Sequence, residues 1–386
     1  MQRRAFTGLW HPGAFLLITV AAALTVLPGG CSRKQVEAPA KYKIGAILPL
    51  TGEAATYGTS CREGMEVAAS QLGVDLIVED SAAEPKRAIA AFQKLHSVDH
   101  VRVVLGDMFS APTLAFAPLA QARGVVVISP TSGAEAVPRT GSCIFSLYPT
   151  AQQEGRFMAE YLQRLSSRGG SVGVIASQEE VYRGLADGFS GALQDSPAWK
   201  VAFTALLAPD TRDFKNAVTK YIHGAETSAL YMAGSKTFVA NLVRQATQAG
   251  YVGTFLSQST LFDPDLGKRF GSYLDGILFS GPYFDVHAST KPTKGFVASF
   301  QQKFRNQPDV WAAYGYDAVL VAHDALNRCP TCDGRRLAED VAATLLDGTT
   351  GPIKFGPEGV AVRAFRVFTF KDGELVPAAP AWAVEH

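Results

Sequence analysis

Hydrophobic residues recur along the chain with two alternating periods, one typical of buried strands and the other of amphipathic helices. Residues 42–48 form a short apolar run of strand length, and 49–52 end it with a proline and a glycine that favour a turn. After Gly58 the apolar residues recur at helical spacing. The pattern therefore predicts a buried strand, a polar loop and a helix whose first turn carries Tyr57.

The same alternation continues through two series of elements. The first series has predicted strands at 74–79, 101–105 and 125–129 and predicted helices at 85–95 and 110–122. The second has predicted helices at 154–165, 182–193, 214–222 and 238–249 and predicted strands at 171–176, 201–206, 229–232, 254–257 and 277–280. Predicted helices at 294–304, 312–326 and 337–346 and closing strands at 353–355 and 365–370 follow. Strands that alternate with helices indicate doubly wound parallel sheets, so we expect two α/β lobes.

Composition and motifs exclude several classes of function. The chain has 386 residues, 47% of them hydrophobic, and a formal net charge of +1, which gives no electrostatic basis for nucleic-acid binding. It contains no dinucleotide fingerprint, phosphate-binding loop or zinc-protease motif. His96 and His100 stand four residues apart, but no third metal ligand accompanies them. We therefore predict no enzyme, no cofactor and no metal.

The N-terminal 30 residues have the pattern of a secretory signal peptide. Two arginines precede an apolar segment at 14–26, which is too short to span a membrane comfortably. The small residues before Cys31 resemble the lipobox of bacterial lipoproteins, whose cysteine is lipidated and becomes the new N-terminus, although Leu27 stands one place early. An ordinary cleaved signal followed by a chance cysteine is the alternative. Residues 31–40 are polar, as expected of a lipidated tether.

Export places the remaining cysteines in an oxidising compartment. Cys329 and Cys332 are separated by two residues and follow a predicted helix. This spacing favours a local disulfide, because a second pair of zinc ligands is absent. Cys61 and Cys143 are expected to be buried, and whether they pair with each other is left open.

Hydroxyl side chains follow two neighbouring predicted strands. Ser110 follows the strand at 101–105 and is a good N-cap residue, and Thr131-Ser132-Gly133 follows the strand at 125–129. Each of them alone is explained by a turn or a cap. Together with Tyr57 they would converge at one edge of the sheet, where hydroxyls and helix N-termini bind an anionic group.

Several motifs in the same order resemble the leucine/isoleucine/valine-binding protein family, type I periplasmic binding proteins that serve ABC importers. They include Ile44-Gly-Ala-Ile-Leu-Pro-Leu-Thr-Gly52, Glu84-Pro85-Lys86, Asp213-Phe214 and Arg244-Gln245-Ala246. The resemblance covers the chain from Lys41 onward. It implies two α/β lobes that are joined by three hinge crossings and close on a ligand. By this resemblance the N-terminal lobe comprises 41–149 plus 282–350, and the C-terminal lobe comprises 150–281 plus 351–386.

The resemblance also implies ligand-binding positions in the N-terminal lobe. Tyr57 stands where the family packs an aromatic ring on the ligand, and Ser110 stands where a serine holds the ligand carboxylate. Thr131 stands where backbone groups meet that carboxylate. Gly133 stands where a threonine usually adds a hydroxyl.

The C-terminal lobe departs further from the family pattern. Tyr182 stands near a ligand-binding tyrosine, whereas Ser235 replaces another tyrosine and Ser259 replaces the acid that binds the ligand ammonium. Because an unpaired buried charge is costly, we expect a ligand without a buried ammonium, such as an amide, a carboxylate or an aromatic acid. Asp263 or Glu180 would change that expectation if either supplied the missing charge.

The resemblance thus implies a non-catalytic, monomeric solute-binding lipoprotein in the periplasm or at the cell surface. It would bind a small molecule and deliver it to an ABC permease in the membrane. A lipoprotein of the same fold that acts as a sensor, or as an activator of a protein partner, is the alternative. An exported hydrolase is a third hypothesis, which the lack of a catalytic motif in its proper context disfavours.

Overall fold

A computed structural model of the chain describes residues 42–223, 227–363 and 365–378, apart from the side chains of residues 223 and 264. The predicted signal peptide, the tether and Cys31 lie outside these residues. None of the helices in the described ranges is both long enough and apolar enough to cross a bilayer.

The first lobe begins with an alternating series of strands and helices. In chain order these are β1 (Tyr42–Leu48), α1 (Ala55–Leu72), β2 (Val74–Asp80), α2 (Pro85–Ser97), β3 (Val103–Gly106), α3 (Ser110–Arg123), β4 (Val126–Ser129), α4 (Ala136–Arg139) and β5 (Ile144–Ser146). The strands form one parallel sheet in the order β2-β1-β3-β4-β5. The loops after β1, β3 and β4 therefore lie at the same edge of the sheet, as the alternation predicted.

The second lobe repeats this plan. Its elements begin with α5 (Ala151–Leu165), β6 (Gly170–Ser177), α6 (Glu180–Leu193), β7 (Trp199–Leu207), α7 (Lys215–Ala217), a π-helical turn (Val218–His223), β8 (Ala229–Ala233) and α8 (Lys236–Gln248). They continue with β9 (Thr254–Ser257), a 3-10 turn (Ser259–Leu261), α9 (Pro264–Phe270), a second 3-10 turn (Gly271–Tyr273) and β10 (Leu278–Pro282). Neighbouring strands among β6–β10 pair in parallel.

The C-terminal part of the chain returns to both lobes. It comprises α10 (Lys291–Phe304), α11 (Val310–Arg328), α12 (Gly334–Ala342), β11 (Leu345–Gly348), β12 (Gly351–Lys354), β13 (Phe365–Lys371) and β14 (Glu374–Pro377). Helix α11 packs against α1 and the first sheet, whereas β13 and β14 extend the second sheet antiparallel, in the order β14-β13-β10-β9-β8-β6-β7. The chain therefore passes between the lobes three times, after β5, β10 and β12. The residue limits of the two lobes stay a prediction.

Two predicted helices differ from the structure. The helix predicted at 337–346 ends at Ala342, and the next residues form β11, which pairs antiparallel with β12. Leu346 lies opposite Ile353 in that hairpin, so pairing across the strands overrides the helical spacing of its leucines. The helix predicted at 214–222 is a short α-helix that continues as a π-helical turn.

Helices α5 and α6 approach each other closely because glycine stands at both points of contact. A Cβ atom on Gly155 would lie 2.1 Å from the carbonyl oxygen of Leu185, and one on Gly188 would lie 2.1 Å from that of Gln152. Any larger residue would push the helices apart. This contact fixes the first turn of α5, which lies directly after the first crossing between the lobes.

The cysteines fall into two groups. Cys329 and Cys332 are joined by a disulfide in the loop that follows α11, and Cys61 and Cys143 are free and buried. The oxidation state of the first pair in the cell stays a prediction.

Asp317 in α11 holds the backbone that leads into the third crossing. Its carboxylate accepts hydrogen bonds from the backbone N–H and the hydroxyl of both Thr349 and Thr350, at 2.6–3.0 Å. The guanidinium of Arg363 lies 3.6 Å away, and neither charged side chain is exposed by more than 2%. A buried carboxylate with four donors and a cation satisfies the conditions under which a charge is tolerated in a core.

We predict that replacing Asp317 with Ala lowers the free energy of unfolding by about 3–5 kcal/mol, because it leaves the Arg363 charge buried and unpaired. Asp324→Ala is the matched control: Asp324 lies on the same helix in a partly exposed pair with Arg328, and its loss should cost less than about 1 kcal/mol. Urea denaturation of both variants measures the difference. Equal losses in the two variants would contradict a special role for Asp317.

Candidate functional site

A cleft between the two lobes brings the predicted ligand-binding residues together. It has a volume of about 670 Å³, and its first-lobe wall consists of the start of α1, the loops after β3 and β4 and the start of α11. Its second-lobe wall consists of the starts of α5, α6 and α8 and the segment after β9. All the predicted positions line this cleft: Tyr57, Ser110, Thr131, Gly133, Tyr182, Ser235 and Ser259. Their role in binding stays a prediction.

Aromatic rings form much of the first-lobe wall. Tyr57 packs edge-on against Trp311, with ring centroids 5.5 Å apart, and against Phe109 at 6.4 Å. Sequence reasoning found Tyr57 and missed the other two rings. Such a cluster offers flat apolar surfaces to the hydrophobic part of a ligand.

The hydroxyl of Ser110 faces the cleft at the N-terminus of α3. The expectation that Ser110 is the N-cap was wrong, because the N-cap position is Phe109 and Ser110 is the first helical residue. Its oxygen instead accepts a hydrogen bond from the backbone N–H of Ala134 at 3.1 Å. The hydroxyl hydrogen has no acceptor within the described residues, so it can be donated to a ligand, next to the free N–H groups of the first helical turn.

Thr131 and Gly133 complete this end of the cleft. The Thr131 hydroxyl donates to the carbonyl oxygen of Met108 at 2.9 Å, so its hydrogen is already engaged and the side chain fixes the loop. The carbonyl oxygen of Gly133 accepts from the N–H of Ala151 at 2.8 Å, which ties the loop to the start of α5. These residues therefore shape the backbone around Ser110.

Ser235 and Tyr182, two of the predicted positions in the second lobe, stand at the starts of helices. The Ser235 hydroxyl accepts from the N–H of Phe238 at 3.3 Å and so caps α8. Tyr182 lies in the first turn of α6, and burial, followed by the neighbouring Glu179 and Glu154 carboxyls, raises its pKa to about 12. Tyr182 is thus a neutral phenol at the cleft wall at physiological pH.

Lys236 on α8 connects the two walls of the cleft. Its ammonium donates to the Asp263 carboxylate at 2.6 Å and lies close to the Tyr57 hydroxyl of the first lobe. Partial burial works to lower the pKa of Lys236, but the contacts with Asp263 and Tyr57 outweigh it and raise that pKa. Asp263 is therefore neutralised by Lys236.

Glu154, in the first turn of α5, is a buried acid that sequence reasoning missed. Its side chain lines the cleft and its residue is 4% exposed. One oxygen, Oε1, accepts from the N–H of Ser259 at 2.7 Å and from the Ser280 hydroxyl at 2.6 Å. Burial raises the pKa of Glu154, and the hydrogen bonds from Ser280 and Ser259 oppose that effect. The presence of Ser259 in place of an acid had indicated that this part of the cleft lacks a carboxyl. Glu154 places a carboxyl beside Ser259.

Comparisons with known proteins agree with this geometry. A model of the periplasmic binding protein family matches residues 41–374. This chain belongs to the leucine-binding family of type I periplasmic binding proteins. The fold expected from the sequence, two α/β lobes of mainly parallel sheets, is thereby confirmed.

Individual relatives of this leucine-binding family member are distant but cover most of the chain. A Leu/Ile/Val-binding protein homologue from Brucella melitensis is 26% identical, over 94% of this chain and 98% of its own length. A leucine-, isoleucine-, valine-, threonine- and alanine-binding protein from Pseudomonas aeruginosa is 24% identical, over 82% of this chain and 86% of its own. The crystal structure of a leucine-binding protein from Thermotoga maritima is 25% identical, with a TM-score of 0.75, and covers 88% of this chain and 98% of its own.

In this family member, Asp107 supports the loop that carries Ser110. Asp107 is fully buried below the cleft, where it accepts from the backbone N–H of Phe109 at 2.9 Å and from the Ser81 hydroxyl. Burial raises the pKa of Asp107 to about 6, although the hydrogen bonds from Ser81 and the backbone oppose that shift. The carboxyl therefore changes its charge between mildly acidic and neutral pH.

We predict a pH-dependent contribution of Asp107 to the stability of the protein. Because its folded pKa of about 6 exceeds the ordinary value of 3.8, the folded state holds the proton more tightly. The contribution of this group to stability therefore falls as the pH rises from about 4 to about 7, by up to about 3 kcal/mol.

The test compares the free energy of unfolding of the wild type with that of Asp107→Asn, which titrates no proton at this position. Their difference should change across the pH range in favour of the variant, whereas the difference between the wild type and Asp324→Asn, a partly exposed control, should change much less. A pH-independent difference for Asp107→Asn would contradict the raised pKa.

Proposed function

We propose that the chain is an exported, monomeric lipoprotein that captures a small ligand between its two lobes and delivers it to an ABC importer. The cleft carries this proposal, because both lobes contribute to one cavity of about 670 Å³ at the carboxyl ends of their strands. A hinge movement at the three crossings would close the lobes on the ligand. Periplasmic binding proteins close around their ligands by this kind of movement. The relatives that the chain resembles are named as binding proteins, which supports a non-catalytic role.

The ligand is a branched-chain amino acid or a related amide or carboxylate. The free hydroxyl hydrogen of Ser110 and the N-terminus of α3 suit its anionic end, and Tyr57 and Trp311 suit its apolar body. The names of the Brucella and Pseudomonas relatives, which refer to leucine, isoleucine and valine, support this class.

A sensor, or an activator of a protein partner, has less support. Such a role would be favoured by a cleft that the protein's own side chains fill, whereas this cleft is open. Its openness favours ligand capture and therefore transport.

A thermal-shift screen of amino acids, small carboxylates, amides and aromatic acids tests the proposed capture of a ligand. A ligand at a hundred times its dissociation constant should add about 2.7 kcal/mol to the free energy of unfolding. In the Ser110→Ala variant, the hit should bind about 1–3 kcal/mol more weakly, because its buried acceptor loses a donor.

Ser299→Ala, in α10, is the matched control and should bind the hit as the wild type does. Unchanged affinity in both Ser110→Ala and Tyr57→Ala would show that the ligand binds elsewhere. A screen without any stabilising compound would count against the proposed function.

We predict that the mature protein begins at a lipidated Cys31. The apolar segment at 14–26 and the small residues before the cysteine form the proposed signal. Mass spectrometry of the membrane fraction should show a diacylglyceryl group on the peptide that starts at Cys31, and Cys31→Ala should abolish it. A soluble mature protein that is cleaved at another position would contradict this prediction.

A further inference from the structure

Glu154 is a buried carboxyl without a cationic partner, located on the wall of the ligand cleft. Within the described residues, it makes no ion pair or hydrogen bond with a lysine, arginine or histidine. Lys236, the cation that lines the same cleft, is paired with Asp263 instead. Among the residues that the structure describes, no cation therefore neutralises the carboxylate form of Glu154.

The geometry of Glu154 leaves one oxygen available to a ligand. Oε1 accepts hydrogen bonds from the Ser259 N–H and the Ser280 hydroxyl, and the Ser259 hydroxyl lies beside the carboxyl as well. Among the described residues, Oε2 has no hydrogen-bond donor of ordinary geometry. The two donors to Oε1 lie in the segment after β9 and in β10, so they fix the carboxyl from two sides. Glu154 is thus held in one orientation before any ligand binds.

Four tyrosines lie near enough to Glu154 for its charge to affect their pKa values. Burial is the main reason that the pKa of each phenol is raised, and the Glu154 carboxyl adds to that effect at Tyr148 from the first crossing, Tyr182 from α6, Tyr231 from β8 and Tyr314 from α11. Glu179 and Glu180, the other acids that line the cleft, are exposed. A positively charged group brought by a ligand would therefore meet one desolvated carboxylate at this end of the cleft.

We propose that Glu154 is the specificity-determining residue of the cleft, and that its free oxygen accepts hydrogen bonds from a protonated primary amine of the ligand. The inference rests on the proposed function, since it assigns the chemistry of the same site. Removing a carboxylate from water is costly, and a hydrogen-bonded cation offsets that cost when the ligand is bound.

The two lobes then recognise the two charged ends of one ligand. Ser110 and the N-terminus of α3 face an anionic group from the first lobe, and Glu154 faces a cationic nitrogen from the second. The ligand class is a small zwitterion whose apolar body rests on Tyr57 and Trp311. The sequence had predicted a ligand without an ammonium because no acid was expected near Ser259. Glu154 is such an acid, so that prediction no longer has a basis.

Matched ligand pairs test the inference by isothermal titration calorimetry. Each pair consists of an amino acid and the same molecule without its amine: leucine with 4-methylpentanoate, and phenylalanine with 3-phenylpropanoate. In the wild type, at least one amino acid should bind about 30-fold or more tightly than its partner. Glu154→Gln keeps the oxygen that accepts from Ser259 and Ser280 but removes the charge, so this preference should fall by roughly 30-fold or more.

The variants separate the possible outcomes. Glu160→Gln removes one exposed acid from the same helix and should keep the wild-type preference. Tight binding of the deaminated acids in the wild type, with no preference for the amine, would overturn the role of Glu154 and leave the proposed function intact. So would loss of the preference in Glu180→Gln but not in Glu154→Gln. Absence of binding by every compound would contradict this inference, and a failed thermal-shift screen in addition would contradict the proposed function.

Discussion

The desolvation of Glu154 is the constraint around which the ligand cleft is arranged. A carboxyl that is removed from water needs donors or a cation, and within the described part of the chain the hydrogen bonds of ordinary geometry reach one of its oxygens, Oε1. Those donors come from the segment after β9 and from β10, which leads into the second crossing, while Glu154 itself follows the first crossing. Glu154 therefore links the helix that follows the first crossing to the strand that leads into the second crossing, through the hydroxyl of Ser280.

The same principle recurs at two other buried acids. Asp107 fixes the loop that presents Ser110, and Asp317 holds the backbone that enters the third crossing. Each carboxyl accepts hydrogen bonds from backbone N–H groups that would otherwise lack partners in a buried loop. Buried polar side chains thus fix the conformation of these two segments between regular elements, whereas apolar cores stabilise the two lobes themselves.

The sequence predicted the lobes well because strand and helix periodicity depends on which residues are buried. It also predicted the cleft positions at the ends of β1, β3 and β4, since parallel strands bring those loops to one edge. It missed β11, where pairing with β12 overrides helical spacing, and it misassigned the cap at Ser110. Glu154 was missed because its partners, Ser259 and Ser280, are distant in sequence, and only the folded second lobe shows that an acid from α5 lies beside Ser259.

The most direct test of this account is a crystal structure of the protein with the tightest ligand from the screen. The account predicts a closed cleft with the ligand between the two lobes, its anionic group at Ser110 and its nitrogen within hydrogen-bonding distance of Glu154. A ligand bound outside the cleft, or one whose nitrogen points away from Glu154 toward solvent, would contradict it.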